Sequence, residues 1–154
     1  MDQNPYAASS APAIPQTSTN IDQLDVSDRW KQYFKGIQKY GGLQLPLFKA
    51  LPKGPERKAA YQEMKPPISS FALAFAFGFF YYLAKGMWKK GLVLTAIVIP
   101  IVLVIVTVLY MIGGETLANG ARFLGGLIFG FMAPRDFYAS KVNGDNGWLP
   151  SRPF

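Results

Sequence analysis

The sequence predicts an all-α membrane protein: a short cytoplasmic helical module, a first hydrophobic helix that is either short or re-entrant, then a two-helix transmembrane hairpin. Three observations lead there. Gly91 to Ile112 is a run of twenty-two residues without a charge. At ~1.5 Å per residue such a helix reaches roughly 33 Å, enough for a hydrocarbon core of about 30 Å. That run lies inside a longer hydrophobic stretch, Pro67 to Pro134, interrupted only by two short polar breaks. Ahead of it, residues 27–67 carry nine Lys or Arg against Asp28, Glu56 and Glu63. Anionic lipid headgroups attract a juxtamembrane block of this kind at roughly 1 kcal/mol per cation.

Composition narrows the chemistry. The 154 residues suit one domain and half are hydrophobic, so any soluble part is small and cannot bury a sizeable core alone. Cysteine and histidine are absent. That removes disulfides, thiolate nucleophiles, the usual zinc ligand set, His-ligated haem and every His-dependent triad. Carboxylates, Lys, Tyr, Ser and Thr remain, and no enzymatic activity, metal or cofactor is expected. The net charge of +7 would also suit nucleic acid. The basic block leads straight into a membrane segment, however, and no nucleic-acid partner is expected.

In chain order, residues 1–26 hold Asp2, Asp22 and Asp25, no Lys or Arg, and mostly Ala, Ser, Thr, Gln and Pro. This composition does not offset the entropy of ordering and predicts a disordered acidic leader. Because the N-terminus is acidic rather than basic then apolar, insertion is expected through the internal hydrophobic segments. The basic module follows over 27–67. Ser27 or Asp28 is placed to cap a helix on which Trp30, Tyr33, Phe34, Ile37 and Tyr40 recur at helical spacing, with Gly41-Gly42 at its end. Lys31, Lys35 and Lys39 line one edge. Three uses are open to this aromatic face: packing within its own small domain, lying in the lipid interface, or binding a protein partner. Pro46 and Pro52 then impose a loop. A second short helix starts at Gly54-Pro55-Glu56 and ends before Pro66-Pro67. Glu56 and Glu63 on it read as surface charge among Arg57, Lys58 and Lys65, not as an acid–base pair.

The membrane domain covers 68–134. Its first segment, 68–84, is seventeen uncharged residues rich in aromatics, long enough for a thin span and short enough to re-enter. Lys85, Trp88, Lys89 and Lys90 after it are interface chemistry. If 68–84 crossed the membrane, the basic block and this basic turn would lie on opposite sides; a re-entrant segment keeps both cytoplasmic and is favoured. The second segment, 91–112, contains Pro100, expected to kink it or free a carbonyl. The third, 116–133, carries one small-xxx-small pair, Ala121 and Gly125, and a GxxxG, Gly126 and Gly130. This seam is expected to pack on the long helix of the same chain, a homodimer being the alternative. Glu115 and Arg122 form a candidate intramembrane pair; Arg122 also lies close enough to the helix start to snorkel outward. Residues 135–154 read as a cytoplasmic polar tail, in which Tyr138 and Trp148 suit the headgroup zone or which equally covers the small cytoplasmic domain.

The block from Phe75 to Gly91, FAFGFFYYLAKGMWKKG, is distinctive. It resembles a bacterial family of small inner-membrane proteins of unknown function with an AFxFGxxYYLxxGMWKKG-like block before a long apolar helix. Trp30, Phe34, Gly41-Gly42, Pro46, Phe48-Lys49 and Leu51-Pro52 resemble the family's short soluble module. Tyr138, Val142 and Trp148 resemble its closing pattern, giving coverage of about 27–150. Relatives tend to have an Asn-aromatic pair where this chain has Pro134-Arg135. The resemblance implies a Gram-negative inner-membrane location with two or three membrane segments, and it brings no catalytic residues; the favoured topology puts both ends in the cytoplasm.

The functional reading placed first is a non-enzymatic membrane protein that binds another protein, as a regulatory subunit, adaptor or toxin-immunity protein. Trp30, Tyr33, Phe34, Ile37 and Tyr40 are its expected contact face. The alternative is a subunit of an oligomeric channel or transporter, for which Pro100, the glycine-rich return helix and Glu115 with Arg122 speak.

Overall fold

The computed structural model describes residues 20–39 and 55–151. All regular structure among the described residues is helical: a 3-10 turn Ile21–Gln23, then α1 (Asp28–Lys39), α2 (Pro55–Glu63), α3 (Ile68–Phe77), α4 (Phe79–Ala84), α5 (Trp88–Ala121) and α6 (Leu124–Val142). Tyr40 and the Gly41 to Gly54 loop lie outside the described residues, as does the leader before Asn20.

Folded chain begins earlier than the composition predicts. Asn20 caps the 3-10 turn by accepting from the Asp22 N–H at 3.2 Å, and Ile21 is buried in the core. The turn is tied to α1 by Lys31 Nζ, which donates to the Asp22 carbonyl at 3.0 Å, and by Lys35 Nζ, 2.6 Å from Asp22 Oδ1. Lys39 bonds Glu63 of α2 at 2.9 Å. The cationic edge of α1 is therefore occupied by its own neighbours. Gly36 allows the α1–α2 approach, since a Cβ there would stand 2.6 Å from the Glu63 carbonyl oxygen.

Residues 68–84 are not one helix. Gly78, at φ +47° and ψ −113°, breaks them in a conformation that L side chains rarely adopt. Before the break, Phe71 lies against Gly130 and Phe131, and Phe75 against Gly126 and Phe123, so α3 runs antiparallel to α6. After it, Tyr82 reaches Phe129 and Asp136, and Lys85 sits over Phe137, so the chain runs back. Ser70 Oγ and Tyr81 Oη, 2.6 Å apart, join the two legs.

From Trp88, α5 leaves antiparallel to α6, with Gly91 pressed on Tyr82 and Val98 and Val102 beside Gly125. It continues through Pro100, and the non-helical backbone within it is at Gly114, φ +68° and ψ −160°. The expected break at 113–115 thus lies inside α5, and the return segment begins on that helix. Beyond Val102 the helix outruns its neighbours: no residue from Leu103 to Leu117 is buried.

The chain is organised around α6. Instead of ending at Pro134 and releasing a tail, the helix continues to Val142, and Met132 to Ala139 are all buried. Eight consecutive buried residues exceed two helical turns, so this segment is covered on every face. Packing holds the helix through Pro134 although proline removes one i→i−4 bond.

Candidate functional site

The basic-module end of α6 carries the concentration of chemistry. There the helix axis brings Arg135 and Asp136 into the interior, α4 adds Tyr82, α5 adds Lys90, and the segment after α6 adds Asp145 and Ser151. Asp136 has no exposed surface. Its carboxylate accepts from the Tyr82 hydroxyl at 2.8 Å and from the Ser151 N–H at 2.6 Å. Burial pushes the Asp136 carboxyl above the usual carboxylate range, while the Ser151 and Tyr82 hydrogen bonds and the Lys90 charge pull the other way.

Lys90 is buried along its whole side chain and donates to Asp145 Oδ2 at 2.8 Å. That bond holds the Asp145 carboxyl below its ordinary range, helped by the Gly147 N–H. Residues 143–151 thereby form a strap: Asp145 is tied to α5, Ser151 to α6, Asn146 to Ser140 at 2.9 Å, and the Trp148 ring meets Trp88 edge-on at 5.6 Å. A cavity of about 150 Å³ lies under the strap, lined by Gly86 to Lys90 and Asp145 to Gly147. The Tyr82 hydroxyl, the Asp136 carboxylate, the Lys90 ammonium and the Ser151 N–H are spent within this cluster, while the buried Ser151 Oγ has no partner among the described residues; the arrangement suits a lock between α4, α5, α6 and the strap.

The aromatic face of α1 closes the same end from outside. Trp30 meets Phe137 at 4.7 Å between ring centroids, and Phe34 meets Phe137 at 5.9 Å and Tyr138 at 5.5 Å. Trp30, Tyr33, Phe34 and Ile37 are all buried. This corrects the expectation of an open partner surface: the chain's own α6 takes that face, because two apolar surfaces on one molecule meet before either finds a partner. Burial raises the Tyr33 hydroxyl above its ordinary value, opposed by the charge of Arg135. Tyr138, expected at the headgroup level, is likewise in the core.

The glycine seam is real but faces a different helix. A Cβ on Gly126 would lie 2.6 Å from the Phe75 carbonyl oxygen, and one on Gly130 2.7 Å from the Phe71 ring, so the GxxxG pair receives α3, not the long helix. Gly125 does face α5, at 3.6 Å from Val98, and Ala121 is buried. Glu115 and Arg122 are both exposed, and among the described residues no ion pair joins them. Of the four expected interface residues, Trp88 and Lys85 are exposed and Lys89 is half-buried, whereas Lys90 is internal.

Asp136, Tyr82, Asp145 and Ser151 escape sequence reading. A faint signal exists: Phe129, Met132, Ala133 and Asp136 follow three-four spacing, which carries the buried face of α6 past Pro134.

Comparison with known proteins agrees with this extent. The chain is 27% identical over 135 residues to the uncharacterized protein YigF of Salmonella typhimurium, covering 83% of this chain and 94% of the relative. It matches the protein of the same name from Salmonella typhi to the same degree. No solved structure matches. Residues 27–142, from the start of α1 to the end of α6, match the family described as "Protein of unknown function (DUF2628)", and the chain belongs to that family.

Proposed function

We propose that the protein is a non-enzymatic, multi-pass protein of the bacterial inner membrane that acts by binding another protein. The carrying observation is α5, a helix long and apolar enough to cross a membrane, with only 11% of its most apolar window buried within the chain. Ile97, Ile101, Leu103, Val104 and Val108 are exposed on it, and Leu73, Phe77, Phe80, Leu127 and Phe131 extend the belt over α3, α4 and α6. Water-soluble monomers rarely expose apolar patches beyond a few hundred Å². Lys85, Lys89 and Lys141 gather at the other end, which supports a cytoplasmic location for that end. The reversal at Gly78 supports a re-entrant first segment.

With the α1 face covered, the surface offered to a partner is α5 beyond Val102, where the described residues supply no cover. The absence of cysteine makes topology directly testable. Lys85→Cys and Asn143→Cys are expected to react with an impermeant maleimide only from the cytoplasmic side, and Glu115→Cys only from the periplasmic side. Periplasmic labelling at residue 85 would rule out the re-entrant arrangement. Gentle affinity purification from native membranes, with native mass determination, tests the binding reading. A stoichiometric second protein whose capture is lost on Val104→Lys supports it; a homo-oligomer without a partner supports the channel or transporter reading instead.

A further inference from the structure

Three lysines at the strapped end have no acidic partner among the described residues: Lys85 from the α4–α5 turn, Lys89 from the first turn of α5, and Lys141 from the last turn of α6. The fold brings Lys85 and Lys141 to one ring, and Lys89 follows Lys85 by four residues at the start of α5. Lys85 Nζ and Lys141 Nζ stand 5.1 and 5.9 Å from the centroid of the same Phe137 ring. Lys89 Nζ stands 5.9 Å from both Trp88 and Trp148, which are themselves packed edge to face. Three other lysines do have acidic partners within the chain, Lys35 with Asp22, Lys39 with Glu63 and Lys90 with Asp145. Ammonium groups without an acidic neighbour at this end leave room for an anion supplied from outside.

The surroundings restrict what that anion is. The patch borders the exposed apolar belt through Leu83, Leu92 and Trp88. Tryptophan and lysine side by side at the edge of such a belt suit the headgroup level, where an indole is half in apolar surroundings and an ammonium meets phosphate. The cavity under the strap is lined by Gly86, Trp88 and Lys89, and its Asp145 carboxylate is already engaged by Lys90. We infer that Lys85, Lys89 and Lys141, with the Trp88–Trp148 pair, form a binding site for the phosphate headgroup of an acidic phospholipid in the leaflet on this side. The inference rests on the membrane reading above and deepens it, because it assigns a particular lipid site rather than a general attraction of the basic module.

The test uses the full chain purified in mild detergent, with native mass spectrometry after addition of equimolar phosphatidylglycerol and phosphatidylcholine. The unmodified protein is expected to retain phosphatidylglycerol preferentially. Each of Lys85→Gln, Lys89→Gln and Lys141→Gln should reduce that preference about fivefold, whereas Lys31→Gln with Lys35→Gln should leave it unchanged. Equal retention of the two lipids, or a triple Gln variant that keeps the preference, would overturn the assignment. So would inorganic phosphate displacing the lipid at equal concentration, which would mark a site for free phosphate. A second measurement needs no variant: in mixed bilayers, brominated phosphatidylglycerol should quench tryptophan more strongly than brominated phosphatidylcholine at the same mole fraction, and equal quenching counts against the site. Alkaline carbonate extraction of the unmodified protein separates the two readings. Release from the membrane overturns both, whereas retention with no lipid preference overturns only the site.

Discussion

Lys90 and Asp145, fifty-five residues apart in sequence, are joined at 2.8 Å with the lysine side chain 2% exposed and the aspartate 49% exposed. The asymmetry decides what each substitution does. Asp145→Asn leaves a buried ammonium without its counter-charge, whereas Lys90→Met removes the buried charge for an apolar chain of similar length and leaves an Asp145 that is already half in water. The first is expected to cost about 2 kcal/mol, below the range for fully buried pairs because Asp145 is half in water, and the second less than about 1 kcal/mol. Thermal denaturation in detergent should rank them in that order; the reverse order would mean that the pair is not what holds the strap.

The same pair sets an acid dependence with a definite sign. The Asp145 carboxyl is held below its ordinary value, so its contribution is complete above about pH 4 and is lost as the pH falls through the lowered folded value. Asp136 is raised by burial, so its ionisation works the other way and weakens the fold as the pH rises through its own range. The difference in Tm between the unmodified protein and Asp145→Asn should therefore be full at pH 7 and close below about pH 4. A constant difference from pH 7 to pH 3 would contradict the linkage.

Tyr82→Phe removes one of the two donors that satisfy the enclosed Asp136 carboxylate. Leaving a buried acceptor short of a partner costs about 1–3 kcal/mol. Because Asp136 also receives the Ser151 N–H, the loss should be accompanied by earlier proteolysis of the strap. Limited trypsin digestion after Lys141 reads this directly, and an unchanged digestion rate would separate Tyr82 from strap docking.

Gly125 and Gly126 are neighbours with opposite tolerance. Gly126→Ala would place a methyl 2.6 Å from the backbone oxygen of Phe75, which can yield only by moving α3, and a loss of about 1–3 kcal/mol is expected. At Gly125 the nearest atom is Val98 Cγ1 at 3.6 Å, an ordinary contact, so Gly125→Ala should be neutral or slightly stabilising through helix propensity. Equal effects at both positions would argue against the α3–α6 seam.

Trp30→Ala distinguishes a core role from a binding role. The ring is buried between Phe34 and Phe137, so its removal should cost about 3–5 kcal/mol. A variant with unchanged Tm that loses only a copurifying protein would return α1 to the partner surface.

Much of the local structure is written in local chemistry. The all-helical class, the long apolar helix, the start of α1 near Ser27 and the first-turn proline of α2 follow from composition, periodicity and caps, which act within a few residues. The absence of histidine and cysteine is equally a property of the sequence alone. The candidate site is different, because Tyr82, Lys90, Asp136, Asp145 and Ser151 are separated by up to dozens of residues and have no shared spacing. Charge at Arg135 and Asp136 after Pro134 reads locally as the exit from an apolar helix. Only in three dimensions do α1, α4 and the strap enclose those two residues and supply their partners. The aromatic face of α1 shows the same division: its amphipathicity is set by the order of its residues, but what covers it was decided by where α6 ends. The GxxxG spacing specifies a close approach without naming the helix that makes it, and the reversal at Gly78 gave that place to α3.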